Sequence, residues 1–264
     1  LLLQILPDEK ELHQHPDEQA DPVGDMAAKT APGLIQKYHG RALLYLTSNC
    51  SVNCRFCFRR NLTGKIANAL DHLDEICLRL SHSDIDEVIL SGGEPLETSN
   101  EELQHLVSML ERIPHLKRLR IHTRTPVTRP DRIDHTLEKT LSQTRLQCVV
   151  IIHSNHPNEL SKKPLESIAR LKDIGCSLFS QTVLINQINS DADILTALFT
   201  KLFAHGVIPY YLHTLDPARG TTHFRVPEPQ ALKIWQQLHK SLPGYLVPRL
   251  VKEIQGQEAK AILV

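Results

Sequence analysis

Three cysteines on one short segment, Cys50, Cys54 and Cys57, are the residues of this chain whose type and spacing are best suited to chemistry. Three thiolates spaced in this way can hold three corners of one iron–sulfur cube. Ferredoxin clusters have four cysteine ligands, so a cube held by three keeps one iron open to another molecule. The alternatives are buried thiols or a zinc loop, but a structural zinc site needs a fourth ligand nearby, and no second close pair of cysteines occurs. The segment therefore favours a catalytic iron–sulfur cluster.

The other three cysteines, Cys77, Cys148 and Cys176, are scattered through apolar segments. Free cysteine commonly behaves as a small buried hydrophobe, and a disulfide framework is expected only in a small secreted domain. The cysteine pattern therefore predicts a cytoplasmic protein in a reducing compartment. The chain begins at Leu1 without a methionine, so we expect further residues before it, and its short apolar start lacks the basic flank of a secretion signal.

Charge and hydropathy argue against two classes of partner. Lys and Arg number 30 and Asp and Glu also number 30, so no basic excess favours nucleic acid or an anionic membrane surface. No apolar run approaches the ~20 residues of a membrane span. We therefore expect neither a nucleic acid nor a membrane as partner.

Six apolar runs of strand length alternate with segments of helical periodicity, which predicts a parallel sheet covered by helices. The predicted strands are residues 42–46, 87–90, 118–122, 147–153, 177–184 and 207–212. Six βα units in a row predict an α/β fold, a partial (β/α)6 barrel similar to a TIM barrel, with its chemistry at the C-terminal ends of the strands. Nearly every polar cluster of the chain, including the cysteine segment, directly follows a predicted strand. This placement indicates a single site.

Segments of different composition flank the predicted barrel, residues 37–226. Residues 1–36 are rich in Asp, Glu, His, Gln and Pro and predict an extended, surface-lying lead-in with little helix, because proline disfavours helix at the preceding residue. In the C-terminal segment, residues 227–264, we expect a helix over about 228–242 and a short strand over 245–248.

The cysteine spacing, the aromatic Phe56 and the Gly92-Gly93-Glu94 turn after the next strand resemble the radical S-adenosylmethionine (SAM) superfamily. Further motifs resemble the lysine 2,3-aminomutase family, namely KYHGRALLYL, CRFCFRR, RLRIHTRTP, SNHPNE, YYLHTLD and HFR. The resemblance covers about residues 32–260 and is greatest to the bacterial branch that makes (R)-β-lysine for modification of translation elongation factor P.

This resemblance implies an isomerase that uses a [4Fe-4S] cluster, SAM and pyridoxal 5′-phosphate (PLP) to interconvert L-α-lysine and β-lysine by 2,3-amino migration. It also implies a low-potential electron donor, similar to flavodoxin or ferredoxin. Members of the family assemble into oligomers, which makes a homo-oligomer an expectation here.

The resemblance further assigns residues to the cluster and to SAM. The three cysteines match the cluster ligands, and Gly92, Gly93 and Glu94 match the turn that meets the methionine part of SAM. Glycines allow close backbone approach, and a carboxylate can accept from an ammonium. Phe56 would pack near the adenine. Further expected pocket residues are Thr123, Arg124, Asn155, His156 and Gln181; for His156 a structural hydrogen bond is an equal alternative.

The PLP residues implied by the resemblance are Lys260 and Arg41. Lys260 matches the lysine that binds PLP covalently, and Arg41 matches an arginine associated with PLP. The approach to Lys260 contains one glycine, Gly256, where the family usually has several. For both residues the alternative is an ordinary solvated or paired side chain.

Three charged residues match the positions that bind the substrate. Arg59 matches the arginine that pairs with the substrate carboxylate, a role suited to a planar, bidentate guanidinium. Asp216 and Glu253 match two acidic positions that receive the distal ammonium. The alternative for each is a structural ion pair or a lone surface charge.

The sequence leaves three competing functions open. An aminomutase of another amino acid, such as glutamate, would bring a side chain of like charge against Asp216 and Glu253. A SAM-radical enzyme without PLP would not need Lys260. A non-catalytic iron–sulfur or zinc module would use the cysteines alone.

Overall fold

The computed structural model describes residues 1–13 and 15–264, and its main feature is one ten-stranded sheet whose strands follow chain order. The strands are β1 (Lys29–Ala31), β2 (Leu34–Tyr38), β3 (Arg41–Tyr45), β4 (Glu87–Ser91), β5 (Arg118–Thr123), β6 (Gln147–His153), β7 (Ser177–Val183), β8 (Ile208–His213), β9 (Arg249–Lys252) and β10 (Ala261–Ile262). Strands β3 to β9 run parallel to one another, whereas β1, β2 and β10 pair antiparallel at the two edges. This topology and the helical cover confirm the predicted partial barrel.

Seven helices connect or flank the strands in the described residues. They are α1 (Leu73–Ser81), α2 (Asn100–Leu110), α3 (Thr125–Thr128), α4 (His135–Gln143), α5 (Lys162–Asp173), α6 (Ala192–Ala204) and α7 (Glu228–Ser241). Helix α2 begins at a capping box in which Ser99 and Glu102 satisfy each other's backbone N–H groups. Gly175 and Gly206 follow α5 and α6 with φ of +88° and +82°, the left-handed conformation predicted for their C-terminal caps. None of these helices is long and apolar enough to cross a membrane.

The two faces of the parallel strands differ, and this difference creates the site. On β5, Leu119, Ile121 and Thr123 are buried, whereas Arg120 and His122 are only half-buried. The buried positions belong to the face that packs against the helices in the main apolar core. The alternate positions face the barrel interior, which the side chains of a complete TIM barrel would fill. Here the interior is an open cavity lined by polar groups.

The C-terminal segment corrects one prediction. Residues 245–248 do not form a strand, because a 3-10 turn, Gly244–Leu246, occupies them. The strand is β9, which begins directly after Pro248 and pairs in parallel with β8. Proline cannot donate to a sheet ladder, so pairing starts at the first residue beyond it. The barrel therefore has a seventh parallel strand that the apolar pattern did not reveal.

The lead-in is more tightly bound to the barrel than the prediction of a surface-lying segment implied. Its described residues hold no α-helix, but Gln4, Val23 and Asp25 are buried. The hairpin β1–β2 adds two strands to the sheet, and the predicted boundary at residues 36 and 37 falls within β2. The polar composition of residues 1–36 hid this packing because two of the buried residues, Gln4 and Asp25, are themselves polar and are paired with barrel residues.

The scattered cysteines lie in apolar surroundings, as predicted. Cys148 and Cys176 are buried, and Cys77 is half-buried against the main core.

Candidate active site

A cavity of about 450 Å³ in the barrel interior collects most of the predicted site residues. Pockets that bind small molecules are roughly 300–1,000 Å³. The predicted residues on its wall are Arg41, Cys50, Cys54, Phe56, Cys57, Arg59, Gly92, Gly93, Glu94, Arg124, Asn155, Gln181, Asp216, Glu253 and Lys260. Thr123 and His156 do not line it. Most of these residues, some more than 200 positions apart, meet because the parallel strands bring their C-terminal ends together; Arg41, which begins β3, reaches the cavity from the other end of its strand.

The three cysteines lie on a tight turn beside this cavity. Backbone hydrogen bonds from Cys57 N to Cys54 O (3.1 Å) and from Arg60 N to Cys57 O (3.3 Å) shape the turn. Burial and the neighbouring Cys54 thiolate raise the pKa of Cys57. Among the described residues, no three His, Cys, Asp or Glu side chains converge on one ion. Cysteine thiolates are the usual ligands of iron–sulfur clusters, so the donor set of this turn fits three corners of such a cluster.

The glycine turn packs directly on the backbone that leads into the cysteines. Gly93 N donates to Thr47 O at 2.6 Å, and Glu94 N donates to Asn49 O at 2.8 Å. A Cβ atom at Gly93 would collide with the carbonyl of Asn49, and Gly92 has a φ of +128°. The glycines are therefore required by contact between two loops, in addition to any approach to a ligand.

Glu94 is a buried carboxylate held from three sides. It accepts hydrogen bonds from Thr123 Oγ1 (2.6 Å), Arg124 N (2.8 Å) and Leu96 N (3.2 Å). Burial raises its pKa even though these bonds oppose the rise. Thr123, predicted to contact a cofactor, is directed at Glu94 rather than at the cavity. Its contribution to the site is to hold that carboxylate in place.

Three other predicted pocket residues have distinct surroundings. The Asn155 side chain donates to Gln4 Oε1 at 2.9 Å and accepts from Val183 N at 2.9 Å while lining the cavity. The His156 ring accepts from Asn158 N at 3.1 Å, away from the cavity, which is the structural alternative anticipated for it. Phe56 packs against a small apolar cluster at the cavity edge, formed by Ile185, Ile188 and Phe224.

Arg59 forms a buried ion pair, the structural alternative expected for it, with partners that sequence reasoning did not identify. Its Nε donates to Asp25 Oδ2 at 2.7 Å and its Nη1 donates to Ser91 Oγ at 3.0 Å. Asp25 also pairs with Lys37 Nζ at 2.7 Å. Burial would raise the pKa of Asp25, but the charges of Arg59 and Lys37 outweigh burial and lower it to about 2. Asp25 lies in the polar lead-in and belongs to no motif, whereas Lys37 opens the KYHGRALLYL motif but had no role assigned to it.

Lys260 lies on the wall in an ion pair with Glu253 Oε2, and Tyr38 donates its hydroxyl hydrogen to Glu253 Oε1. Burial would raise the pKa of Glu253, but Lys260 and Tyr38 outweigh it, so the pKa is lowered. The residue expected to bind the substrate ammonium is thus already paired with an ammonium of the protein.

Asp216 is the second predicted acceptor for the substrate ammonium, and it also lines the cavity. Burial raises its pKa to about 7; the charge of Glu253 adds to the rise and that of Lys260 opposes it. The two carboxylates and the lysine therefore act on one another electrostatically, although they come from β8, β9 and the tail.

A group of unpartnered polar atoms lies on the cavity wall. Among the described residues, the Nε2 atoms of His122, His153 and His213 and the Nε of Arg41 are buried without a hydrogen-bond partner. Burial lowers the pKa of His153 to about 4, so its ring is neutral near pH 7. Buried polar groups normally have partners. These atoms, with Lys260 nearby, therefore fit an anionic, hydrogen-bonding cofactor such as PLP. Each histidine lies at or near the C-terminal end of a different strand, β5, β6 or β8, and this repeated position was the available signal.

The sequence of this chain is similar to one protein family model and to several known enzymes. The family model described as the radical SAM superfamily matches residues 44–198. The L-lysine 2,3-aminomutase of Buchnera aphidicola subsp. Baizongia pistaciae is 43% identical, over 98% of this chain and 77% of that protein. The L-lysine 2,3-aminomutase of Escherichia coli strain K12 is 40% identical, over 100% of this chain and 77% of that protein.

The fold has solved counterparts at much lower sequence identity. The crystal structure of Streptococcus suis SuiB bound to S-adenosylmethionine superposes with a TM-score of 0.60 at 13% identity. It covers 82% of this chain and 51% of that one. At this identity the likeness shows the shared fold alone.

Proposed function

This chain belongs to the radical SAM superfamily and, within it, to the L-lysine 2,3-aminomutase family, and on that premise we propose that it interconverts L-α-lysine and β-lysine. The observation that carries the proposal is the charge distribution of the cavity wall. A guanidinium, Arg59, and two carboxylates, Asp216 and Glu253, lie on the same wall as the three cysteines. L-lysine has a carboxylate at one end and an ammonium at the other, and buried charges need such compensation.

The residues assigned to each cofactor fit its chemistry. Cys50, Cys54 and Cys57 would hold a [4Fe-4S] cluster, with SAM beside the Gly92–Glu94 turn; Lys260 and Arg41 would hold PLP, together with the unpartnered histidines. When bound, the cluster with SAM supplies a carbon-centred radical that can remove a hydrogen atom, and PLP supplies a conjugated system for the migrating nitrogen.

The protein's own groups have three tasks in this reaction. Arg59, fixed by Asp25, can orient the substrate carboxylate through the part of its fork that Asp25 and Ser91 do not use. Lys260 must shed a proton before its Nζ can act as a nucleophile. Asp216, whose pKa burial raises to about 7, would bind the distal ammonium of the substrate in its ionised form.

Glu253 changes partner in this scheme. It contacts the Lys260 ammonium in the present structure. Glu253 would lose the Lys260 ammonium if that lysine held PLP, and the distal ammonium of the substrate could then take its place. Lysine binding would in this way restore the charge balance around Glu253.

Several finer expectations belong to the same proposal. The electron donor would be a low-potential, flavodoxin- or ferredoxin-like protein, the enzyme would act in the cytoplasm, and its product would be (R)-β-lysine used on elongation factor P. A homo-oligomer and the division at residues 36 and 226 also remain predictions.

The test is anaerobic reconstitution with iron, sulfide and PLP, followed by incubation with L-lysine, SAM and dithionite. Chiral chromatography should detect (R)-β-lysine. Enzyme with full cluster and PLP content that forms no β-lysine would contradict the proposal, and turnover of L-glutamate instead would favour an aminomutase of another amino acid.

Lys260→Ala provides a separate spectroscopic test of the PLP assignment. We expect this variant to keep the iron content of the wild type but to lose the visible imine absorption, because the only proposed nucleophile for PLP is gone. Lys252→Ala is the matched control, since Lys252 is exposed and pairs with Glu228. An unchanged imine band in Lys260→Ala would assign PLP to another lysine.

A further inference from the structure

Arg124 makes a contact that the proposed function does not use. It follows β5, and its Nη1 donates a hydrogen bond to the Sγ of Cys54 at 2.8 Å. Its Nη2 donates to Gln4 Oε1 at 2.8 Å and to Glu159 Oε1 at 3.0 Å. The guanidinium therefore connects Cys54 of the cysteine segment to a buried polar network that contains Gln4 and Glu159.

That network leaves the guanidinium little freedom. Gln4 is 2% exposed, and its Nε2 donates to Glu159 Oε1 at 2.6 Å. The other carboxylate oxygen of Glu159 accepts from Ser154 Oγ at 2.9 Å and from Asn155 N at 3.0 Å. Both carboxylate oxygens of Glu159 are thus engaged. Nη2 of Arg124 meets these fixed acceptors, and its Nη1 is left to donate to Cys54.

A cationic N–H donor on a cluster thiolate has a defined electrostatic effect. Hydrogen bonds to the sulfurs and local charge are among the terms that set the potential of an iron–sulfur cluster. Reduction from the 2+ to the 1+ state adds one electron and no proton, so the reduced cluster carries more negative charge. A positive donor stabilises that state more than the oxidised one.

We propose that Arg124 raises the reduction potential of the cluster through its hydrogen bond to Cys54, and that Gln4 and Glu159 are positioning residues for that bond. The inference rests on the part of the proposed function in which the three cysteines hold a [4Fe-4S] cluster. Arg124 thereby eases transfer of the first electron from a low-potential donor, a step that precedes any contact with lysine.

A purely structural Arg124 would support the cysteine loop without changing the potential. A redox titration of the reconstituted protein distinguishes the structural role from an effect on the potential. The potential is set with dithionite and mediators, and the reduced cluster is followed by electron paramagnetic resonance. The titration needs neither lysine nor PLP, so its failure is distinguishable from failure of the proposed aminomutase activity, which is judged by β-lysine formation. Iron and sulfide are measured in every sample, and potentials are compared at equal cluster content.

The informative variants are R124Q, which removes both the charge and the planar guanidinium, and R124K, which keeps the charge but lacks the two separate Nη groups that reach Cys54 and Glu159. The control is R170Q, because Arg170 is an exposed arginine on α5 that also pairs with a glutamate, Glu138. We expect R124Q to be at least tenfold harder to reduce, which for one electron is about 59 mV. R124K should lie between R124Q and the wild type, and R170Q should match the wild type.

A second measurement does not depend on the stability of the variants. Wild-type enzyme is labelled with arginine carrying ¹⁵N only in the guanidino group, and pulsed electron paramagnetic resonance is recorded on the reduced cluster. We expect a ¹⁵N hyperfine coupling, which should persist in R170Q. Absence of the coupling in the wild type, or a wild-type potential in R124Q with a full cluster, would overturn the proposal.

Discussion

At the scale of single residues, the cavity is organised by charges that are paired before any ligand arrives. Glu253 is occupied by Lys260 and Tyr38, and Arg59 is occupied in part by Asp25. Asp216 differs, since it has a raised pKa and no fixed cationic partner among the described residues. It is therefore the carboxylate whose ionisation should respond most to pH and to a bound ammonium.

The raised pKa of Asp216 predicts how lysine binding depends on pH. Below pH 7 the carboxyl is mostly protonated and offers no charge to the distal ammonium; above pH 7 it is ionised and attracts it. Affinity for L-lysine should therefore rise up to about tenfold per pH unit toward pH 7 and then level off. Calorimetry of the PLP-loaded enzyme without SAM measures this.

The control for this pH dependence is Asp216→Asn, which should bind lysine weakly and with a flat profile from pH 6 to 8. If the variant keeps the rise seen in the wild type, another group controls binding.

At the scale of elements, the turn after β4 and the cysteine segment after β3 form one unit. Strands β3 and β4 are adjacent and parallel, so their C-terminal loops emerge side by side. Backbone hydrogen bonds join the two loops, and the glycines allow this contact. The position of the three cysteines therefore depends on a turn that contains no cysteine.

Gly93→Ala tests this dependence. The added Cβ would meet the backbone of Asn49, which cannot move without displacing the cysteine segment. Such overpacking costs about 1–3 kcal/mol. We expect less than half of the wild-type iron and sulfide per chain after reconstitution, measured by colorimetric analysis.

Gly244→Ala is the matched control for this substitution, because Gly244 has open space where its Cβ would lie. Its iron content and unfolding midpoint should equal those of the wild type. Full iron content in Gly93→Ala would show that the two loops can separate without loss of the cluster.

At the scale of the whole molecule, the lead-in ties the cysteine segment to the loop after β8. Glu11 pairs with Arg55 and Arg60 beside the cysteines. Glu18 accepts from the backbone N–H groups of Gly220, Thr221 and Thr222. Burial would raise the pKa of Glu18, but these bonds and the Thr222 hydroxyl lower it to about 2.

Glu18→Ala should therefore loosen the loop after β8. Removing the carboxylate leaves three backbone donors without their acceptor, and hydrogen bonds to charged groups are each worth about 1.5–3 kcal/mol. We expect at least tenfold faster amide hydrogen exchange in residues 217–225, measured by mass spectrometry. Glu9→Ala, an exposed position on the same lead-in, should leave the exchange unchanged, and equal rates in both variants would contradict the role assigned to Glu18.

Local patterns in the sequence determined the order of elements and pointed to residues that line the cavity. Apolar periodicity identified β3 to β8, and cysteine spacing singled out the segment with Cys50, Cys54 and Cys57, because both signals depend on neighbours a few positions apart. The strand β9 escaped this pattern, since Pro248 delays its start. Nearly all of the predicted site residues, from Arg41 to Lys260, line the same cavity.

Only the tertiary structure decided which charges pair across the chain. Asp25 fixes Arg59, Glu253 holds Lys260, and Arg124 reaches Cys54 from another strand. These contacts join residues that no periodicity relates, and their effect depends on burial, which weakens solvent screening and strengthens each charge. A sequence shows which side chains are charged, whereas the fold determines which of them lose their water and must therefore find a partner.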